Sequence, residues 1–234
     1  MNGAAVPRSE RVAQLAELPS ALQALGIRTG RPVLVVVGGA GGMTPDLQAS
    51  VTEVMRHLLL TMERRDGAVV DGGTDSGVMR VLGLSRHATG ACLPLIGVAA
   101  EGTVILPGKP APRDAAPLEP HHTHMILVPG DSWGDESPWL SSVATSIAQD
   151  QPSMTMVING GQITYDDINH SLEAGRPVVV VAGTGRAADA IAAAAGHDAQ
   201  VSSAAGIASS PHTWITSLHD PQRIYSAVDS ILGI

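Results

Sequence analysis

Four runs of Val, Ile, Leu, Met and Ala recur along this chain, and each breaks into glycines. Residues 32–37 precede Gly38-Gly39-Ala40-Gly41-Gly42, and 68–70 precede Asp71-Gly72-Gly73-Thr74-Asp75-Ser76-Gly77-Val78-Met79. Residues 154–158 precede Gly160-Gly161, and 177–181 precede Gly183-Thr184-Gly185. Unbroken apolar runs suit strands covered on both faces. Residues 94–99 and 124–128 read as two further strands. Helical stretches lie between them. Thr44-Pro45-Asp46 is a helix start, with Thr as cap and Pro in the first turn, for a helix reaching about residue 64. Others are expected to about residue 88, and near 136–148, 165–174, 186–195 and 221–232. Strands alternating with helices predict an α/β fold: a Rossmann-like, doubly wound, mostly parallel sheet with helices on both faces. One domain over residues 1–234 is expected. Its first 30 residues read as a helical segment, because Val12, Leu15, Leu18, Leu22 and Leu25 recur every three or four positions, with Pro19 as a break. Residues 106–120 carry five prolines and read as a loop.

Composition narrows the function. The formal net charge is -8 and the 14 Lys and Arg residues form no cluster, so a nucleic-acid partner is not expected. Aromatic residues are 2% of the chain, with no Phe, which leaves an aliphatic core and no stacking platform for single strands. No apolar run approaches the roughly 18 residues of a membrane helix. Residues 1–17 carry Arg8, Glu10, Arg11 and Glu17 and lack the apolar centre of a signal peptide. The single cysteine, Cys92, excludes an internal disulfide and reads as a small buried hydrophobe. A cytoplasmic, non-membrane protein is the expectation.

The glycine turns carry the chemistry. In an open parallel sheet the strand C-termini share one edge, and ligands bind in the crevice there. The stretch from Asp71 to Met79 reads as a strand that turns and opens a helix, where backbone N–H groups can cradle a phosphate. No Gly-Lys-Ser/Thr follows any turn, so none is a Walker A loop. Gly183-Thr184-Gly185-Arg186-Ala187-Ala188 fits the relaxed dinucleotide fingerprint, but no strand ending in Asp or Glu follows about 20 residues on. Arg186, at a helix start, is placed to pair with a phosphate. Asp189 is placed to accept from a ribose hydroxyl or to lock Arg186. His121, His122 and His124 cluster with Glu119, yet no matching Cys/His set lies elsewhere, and no metal is expected. No serine sits in a nucleophile elbow.

These motifs together carry a resemblance. Gly72 to Met79, Leu95-Ile96-Gly97-Val98-Ala99, His122-Thr123-His124-Met125-Ile126-Leu127-Val128, Gly160-Gly161 and Gly183 to Asp189, in that order, resemble the SLOG superfamily. The resemblance is to the SLOG domain of TRPM-type cation channels, in a free-standing prokaryotic form, and spans roughly residues 31–195. It implies a Rossmann-like fold related to the lonely-guy enzymes and DprA. It also implies a small nucleotide-derived ligand, of the ADP-ribose or cyclic ADP-ribose type, and no other cofactor. By that resemblance Gly72, Gly73, Thr74, Gly77, Gly160, Gly161, Gly185 and Arg186 line the pocket; Gly38, Gly39, Thr164, Gly183, Thr184 and Asp189, from the same turns, complete the candidate ligand-binding residues. Lonely-guy enzymes carry Pro-Gly-Gly-x-Gly-Thr-x-x-Glu, whose Glu serves in N-glycosidic cleavage. The matching stretch here is Asn159-Gly160-Gly161-Gln162-Ile163-Thr164-Tyr165-Asp166-Asp167, with Asp167 at the Glu position. Asn159 replaces the Pro and Ile163 the third Gly. Two readings of the chain therefore stand: a ligand sensor, and a phosphoribohydrolase with Asp167 as its carboxylate. Asp166-Asp167 also reads as helix-start charge. A homodimer is implied by the resemblance; a sensor needs a downstream effector, which the sequence does not name.

Overall fold

The computed structural model describes residues 7–39, 41–196 and 202–233. Ala40 of the first glycine turn and the first six residues of the N-terminal segment lie outside them. The chain begins with β1 (Arg8–Arg11) and α1 (Leu18–Leu25), followed by β2 (Val33–Gly38), α2 (Pro45–Arg64), β3 (Ala68–Asp71), α3 (Gly77–Thr89) and β4 (Leu95–Ala100). Two short strands, β5 (Val104–Ile105) and β6 (Ala116–Pro117), bracket the proline-rich loop, and β7 (His124–Val128) leads to α4 (Ser137–Ala148). The remainder is β8 (Ser153–Ile158), α5 (Gln162–Glu173), β9 (Val178–Ala182), α6 (Arg186–Ala193), α7 (Ser203–Ala208), β10 (Thr213–Ser217) and α8 (Pro221–Leu232).

The main sheet has eight strands in the order β1-β7-β4-β3-β2-β8-β9-β10, and every neighbouring pair is parallel. Starting from β2, the chain winds one way through β3 and β4 and later the other way through β8 and β9. The order reverses between β2 and β8, which opens a crevice beyond their C-terminal ends. Side chains alternate across the sheet. Val33, Val35 and Val37 pack with α1, α4, α5 and α6 on one face, while Leu34 and Val36 pack with α2, α3 and α8 on the other. Helix α2 shows why these elements form. Thr44 Oγ1 accepts the Leu47 N–H at 3.3 Å, Pro45 opens the first turn, and Val51, Val54, Met55, Leu58, Leu59 and Met62 form one buried stripe. Each such Leu contributes about 1.5–3 kcal/mol by leaving water.

The edges differ from expectation. Residues 8–11 are an extended strand and the helix occupies only 18–25, with Pro19 in its first turn. Arg8, Ser9, Glu10 and Arg11 have no apolar alternation to announce a strand. They pair with β7 on one side only, and their charges blunt an exposed edge. β10 forms the opposite edge, and with α7 it too was unforeseen. Cys92 is exposed, not buried: it sits in the turn after α3, where its N–H donates to Glu63 Oε1 at 2.6 Å. Helix α5 starts at Gln162, three residues before the expected Tyr165.

Gly97 in the middle of β4 marks where the turn after β3 crosses the sheet. A Cβ there would meet the Cα of Gly73 and the Met125 side chain. Backbone cannot give way as a side-chain tip can, so Gly97→Ala is expected to cost about 1–3 kcal/mol in a urea titration, although Ala is the better strand residue.

Candidate functional site

A cleft of ≈ 520 Å³ opens at the sheet's C-terminal edge, over the point where the strand order reverses. That volume lies within the range of small-molecule sites. The end of β2 supplies its floor with Val36, Val37, Gly38 and Gly39. Ser76 and Met79 bound it on the α3 side, Trp133, Glu136 and Leu140 on the α4 side, and Gly161 to Thr164 with Asp167 on the α5 side. Arg186 stands at the start of α6, and Ala116 reaches in from the proline-rich loop.

Asn159 joins the turns after β8 and β9. Its N–H donates to Thr184 Oγ1 at 2.8 Å, and its Nδ2 to the Thr184 carbonyl at 2.7 Å. Its Oδ1 accepts the Gly160 N–H at 2.8 Å, and its carbonyl accepts the Ala188 N–H at 2.9 Å. The buried Thr184 hydroxyl in turn donates to Val181 O. The two turns therefore move as one body. α5 then opens at Gly161, which has no side chain to cap the first-turn N–H groups, so these point outward without an intrahelical partner.

Arg186 projects over those groups from a left-handed backbone, φ 51°. A non-glycine residue there carries about 1–3 kcal/mol of strain, tolerated where the surroundings enforce it. Its guanidinium lies against Gly39 and Gly161, and a Cβ on either would meet its Nη atoms. Among the described residues Arg186 makes no ion pair, and its one hydrogen bond there is a long one to Gly41 O, 3.4 Å. Asp189 does not lock it. The Asp189 carboxylate instead accepts the Gly183 N–H at 2.6 Å.

The turn after β3 spends four of its backbone donors within the protein. The Gly73 N–H donates to Asp71 Oδ1, Asp75 N–H to Pro117 O, Ser76 N–H to Thr74 O and Val78 N–H to Gly39 O. Only its Gly72, Thr74 and Ser76 face the cleft. Behind it His122 bridges two buried carboxylates, donating from Nε2 to Asp71 Oδ1 at 2.7 Å and from Nδ1 to Glu119 Oε2 at 2.8 Å. Only an imidazolium can donate from both nitrogens. Burial alone would lower the His122 pKa, but Asp71 and Glu119 outweigh it and raise it to about 9. Burial pushes the Glu119 carboxyl up, and hydrogen bonds from His122 and His121 more than offset that. His124 lies apart, bonded to Thr123. Among the described residues no group of His, Cys, Asp and Glu is placed to hold a metal ion.

The acid wall of the cleft behaves oppositely. Asp167 is 8% exposed and its Oδ1 has no hydrogen-bond partner. Burial, with the charges of Glu136 and Asp166 adding, raises its pKa to about 7, although Ser137 nearby works against the shift. Burial likewise raises Glu136, whose Oε2 accepts the Gly134 N–H at 3.0 Å.

The family described as SLOG in TRPM, prokaryote, matches residues 31–225. The chain belongs to this prokaryotic SLOG family. It is 28% identical over 204 residues to the mouse (Mus musculus) transient receptor potential cation channel subfamily M member 2, with 71% of the chain and 13% of the channel covered. The rat (Rattus norvegicus) protein of the same name is 26% identical over 198 residues, covering 69% of the chain and 13% of the channel. A Nematostella vectensis member-like 2 protein is 25% identical over 204 residues, covering 70% and 13%. The chain thus spans 13% of the length of these relatives. In architecture it resembles the crystal structure of TM1055, a structural-genomics target, with a TM-score of 0.56 and 19% identity over 86% of this chain and 99% of that one.

Within this SLOG cleft the sequence-expected residues divide. Gly38, Gly39, Gly72, Thr74, Gly161, Thr164, Asp167 and Arg186 line it; Gly73, Gly77, Gly160, Gly183, Thr184, Gly185 and Asp189 build the turns behind it. Lys109, in the proline-rich loop, pairs with Glu101. Trp133, Glu136, Gln162 and Ile163 were missed as lining residues. The first two follow β7 in a glycine-containing strand-to-helix loop at the same sheet edge, which was the available signal.

Two stability tests follow from the buried charges. The raised His122 pKa makes its contribution complete below about pH 6.5 and lost as pH rises through about 9. His122→Gln is expected to cost about 3 kcal/mol at pH 6 in urea unfolding, with the gap to wild type narrowing toward pH 10. The raised Asp167 pKa costs stability once pH exceeds the unfolded value near 3.9. Asp167→Asn is expected to stabilise the fold by about 2–4 kcal/mol at pH 8 and to change little at pH 3.5.

Proposed function

We propose that this SLOG domain binds and senses a nucleotide-derived ligand of the ADP-ribose type, with a phosphate seated between Arg186 and the start of α5. The observation that carries the reading is Arg186 itself. It is held in a strained backbone, lacks an ion pair among the described residues, and lies over Gly39 and Gly161 at the crevice of the sheet. Free first-turn N–H groups and a guanidinium at one point suit an anion. Family membership and the TRPM relatives support the choice of a nucleotide derivative. Calorimetry with ADP-ribose, cyclic ADP-ribose, NAD and AMP tests it. At least one is expected to bind, and Arg186→Ala to weaken that binding tenfold or more, as loss of a charge-assisted contact worth about 1.5–3 kcal/mol requires. No heat from any of the four at millimolar concentration rejects the reading.

Asp167 favours a second reading, a phosphoribohydrolase. A buried carboxyl titrating at about 7 in the cleft is suited to general acid–base work near neutral pH. It predicts release of free base from one of the same nucleotides, abolished in Asp167→Asn. If chromatography finds no free base after hours of incubation, the domain is a sensor and not a hydrolase.

A further inference from the structure

We propose that Glu136 and Asp167 read the ribose hydroxyls of the bound nucleotide and reject a second phosphate on that ring, with Glu136 setting the selectivity. The inference rests on the nucleotide reading above. Glu136 and Asp167 come from different helices, α4 and α5, and both face the cleft. Each is more than nine-tenths buried, at 9% and 8% exposure. Asp167 Oδ1 has no hydrogen-bond partner, which is a costly arrangement unless a ligand completes it. Their surroundings bring no compensating cation. Asp135 and Asp166 flank the pair in sequence, the β2 and β8 ends bring only Gly38, Gly39 and Asn159, and Arg186 stands at the phosphate position.

The spacing suits one nucleotide. Asp167 lies six residues along α5 from Gly161, about 9 Å at 1.5 Å per residue. A 5′-phosphate at Arg186 therefore points the ribose toward the acid pair. Burial resists ionisation of both carboxyls, so near neutral pH the pair retains a proton. A carboxylic acid beside a carboxylate offers one donor and several acceptors, which matches a vicinal diol. A phosphate on either ring hydroxyl has acceptors only and two negative charges. It would face two carboxyls that share one proton and the apolar side chains of Leu140 and Ile163.

The test measures binding of AMP, 2′-deoxy-AMP, adenosine 2′,5′-bisphosphate and adenosine 3′,5′-bisphosphate to the full chain at pH 6, where Asp167 keeps its proton. The expected result is AMP tighter than either bisphosphate by tenfold or more, with 2′-deoxy-AMP weakened as well. Glu136→Gln keeps the shape and removes the charge, so it is expected to recover at least tenfold in bisphosphate affinity relative to AMP. If Glu136→Gln does not melt cooperatively, Asp167→Asn carries the same comparison. Equal wild-type affinities for AMP and the bisphosphates overturn the inference and leave the nucleotide reading intact. Discrimination that survives both substitutions also overturns it, since shape would then be its source. Failure of AMP and all three analogues to bind, together with the four-ligand panel, rejects the nucleotide reading and this inference with it.

Discussion

The side chain of Asn159 decides where everything in the cleft can stand. Three hydrogen bonds through one buried residue hold the turns after β8 and β9 to each other, and a fourth, from the Gly160 N–H, shapes its own turn. Because β8 is the strand at which the sheet reverses its order, that staple also fixes the start of α5 against the end of β2. The start of α6 is set by the same contacts, and with it the left-handed backbone that throws Arg186 over Gly39. A residue without both an amide N–H₂ and a carbonyl oxygen at position 159 could not satisfy the two turns together. A proline there, as in the lonely-guy motif, would also lack the backbone N–H that Thr184 accepts.

Two groupings of buried acids among the described residues are treated in opposite ways. Around His122 the polar atoms are nearly all satisfied: both ring nitrogens donate to carboxylates, and Glu119 also receives His121. Such an ion network is weak as a source of net stability but costly to break, which suits a part whose task is to hold the β3 turn still. Asp167 and Glu136 are buried without any basic partner. The fold gains nothing from them at neutral pH and loses stability. Groups kept at such cost, inside the cleft at the C-terminal edge of the sheet, point to a site rather than a scaffold.

How much of this was legible in the sequence depended on how local the signal was. The central strands were readable because parallel strands covered on both faces must be apolar throughout, as 33–37 and 178–181 are. The edge strands were not, because β1 needs only one partner and carries charge on its free side. The glycine turns were located correctly, yet their tasks were not separable from the residues alone. Asp71-Gly72-Gly73 looks like a phosphate cradle in sequence. Its Gly73 N–H is consumed by Asp71, and those of Asp75 and Val78 by Pro117 and Gly39, which lie 42 and 39 residues away in the chain. Long-range partners of that kind leave no local trace. Glu136 escaped for the same reason: its burial comes from α5, more than twenty residues on.

The division between closed and open turns orders the cleft. On the β3 side the N–H groups of Gly73, Asp75, Ser76 and Val78 are spent within the protein, and Gly72, Thr74, Ser76 and Met79 reach the cavity. On the α5 side the first-turn donors remain, beside the guanidinium of Arg186 and away from any basic residue that could neutralise Asp167. A helix N-terminus is favourable to an anion within its first turn only. Asp167 lies one turn beyond that reach, so the same helix that attracts charge at Gly161 gives no help to the carboxylate at 167. One short helix thus sets up a polarity, anion-seeking at its start and proton-holding in its second turn, and a ligand bound along it must present those two chemistries in that order.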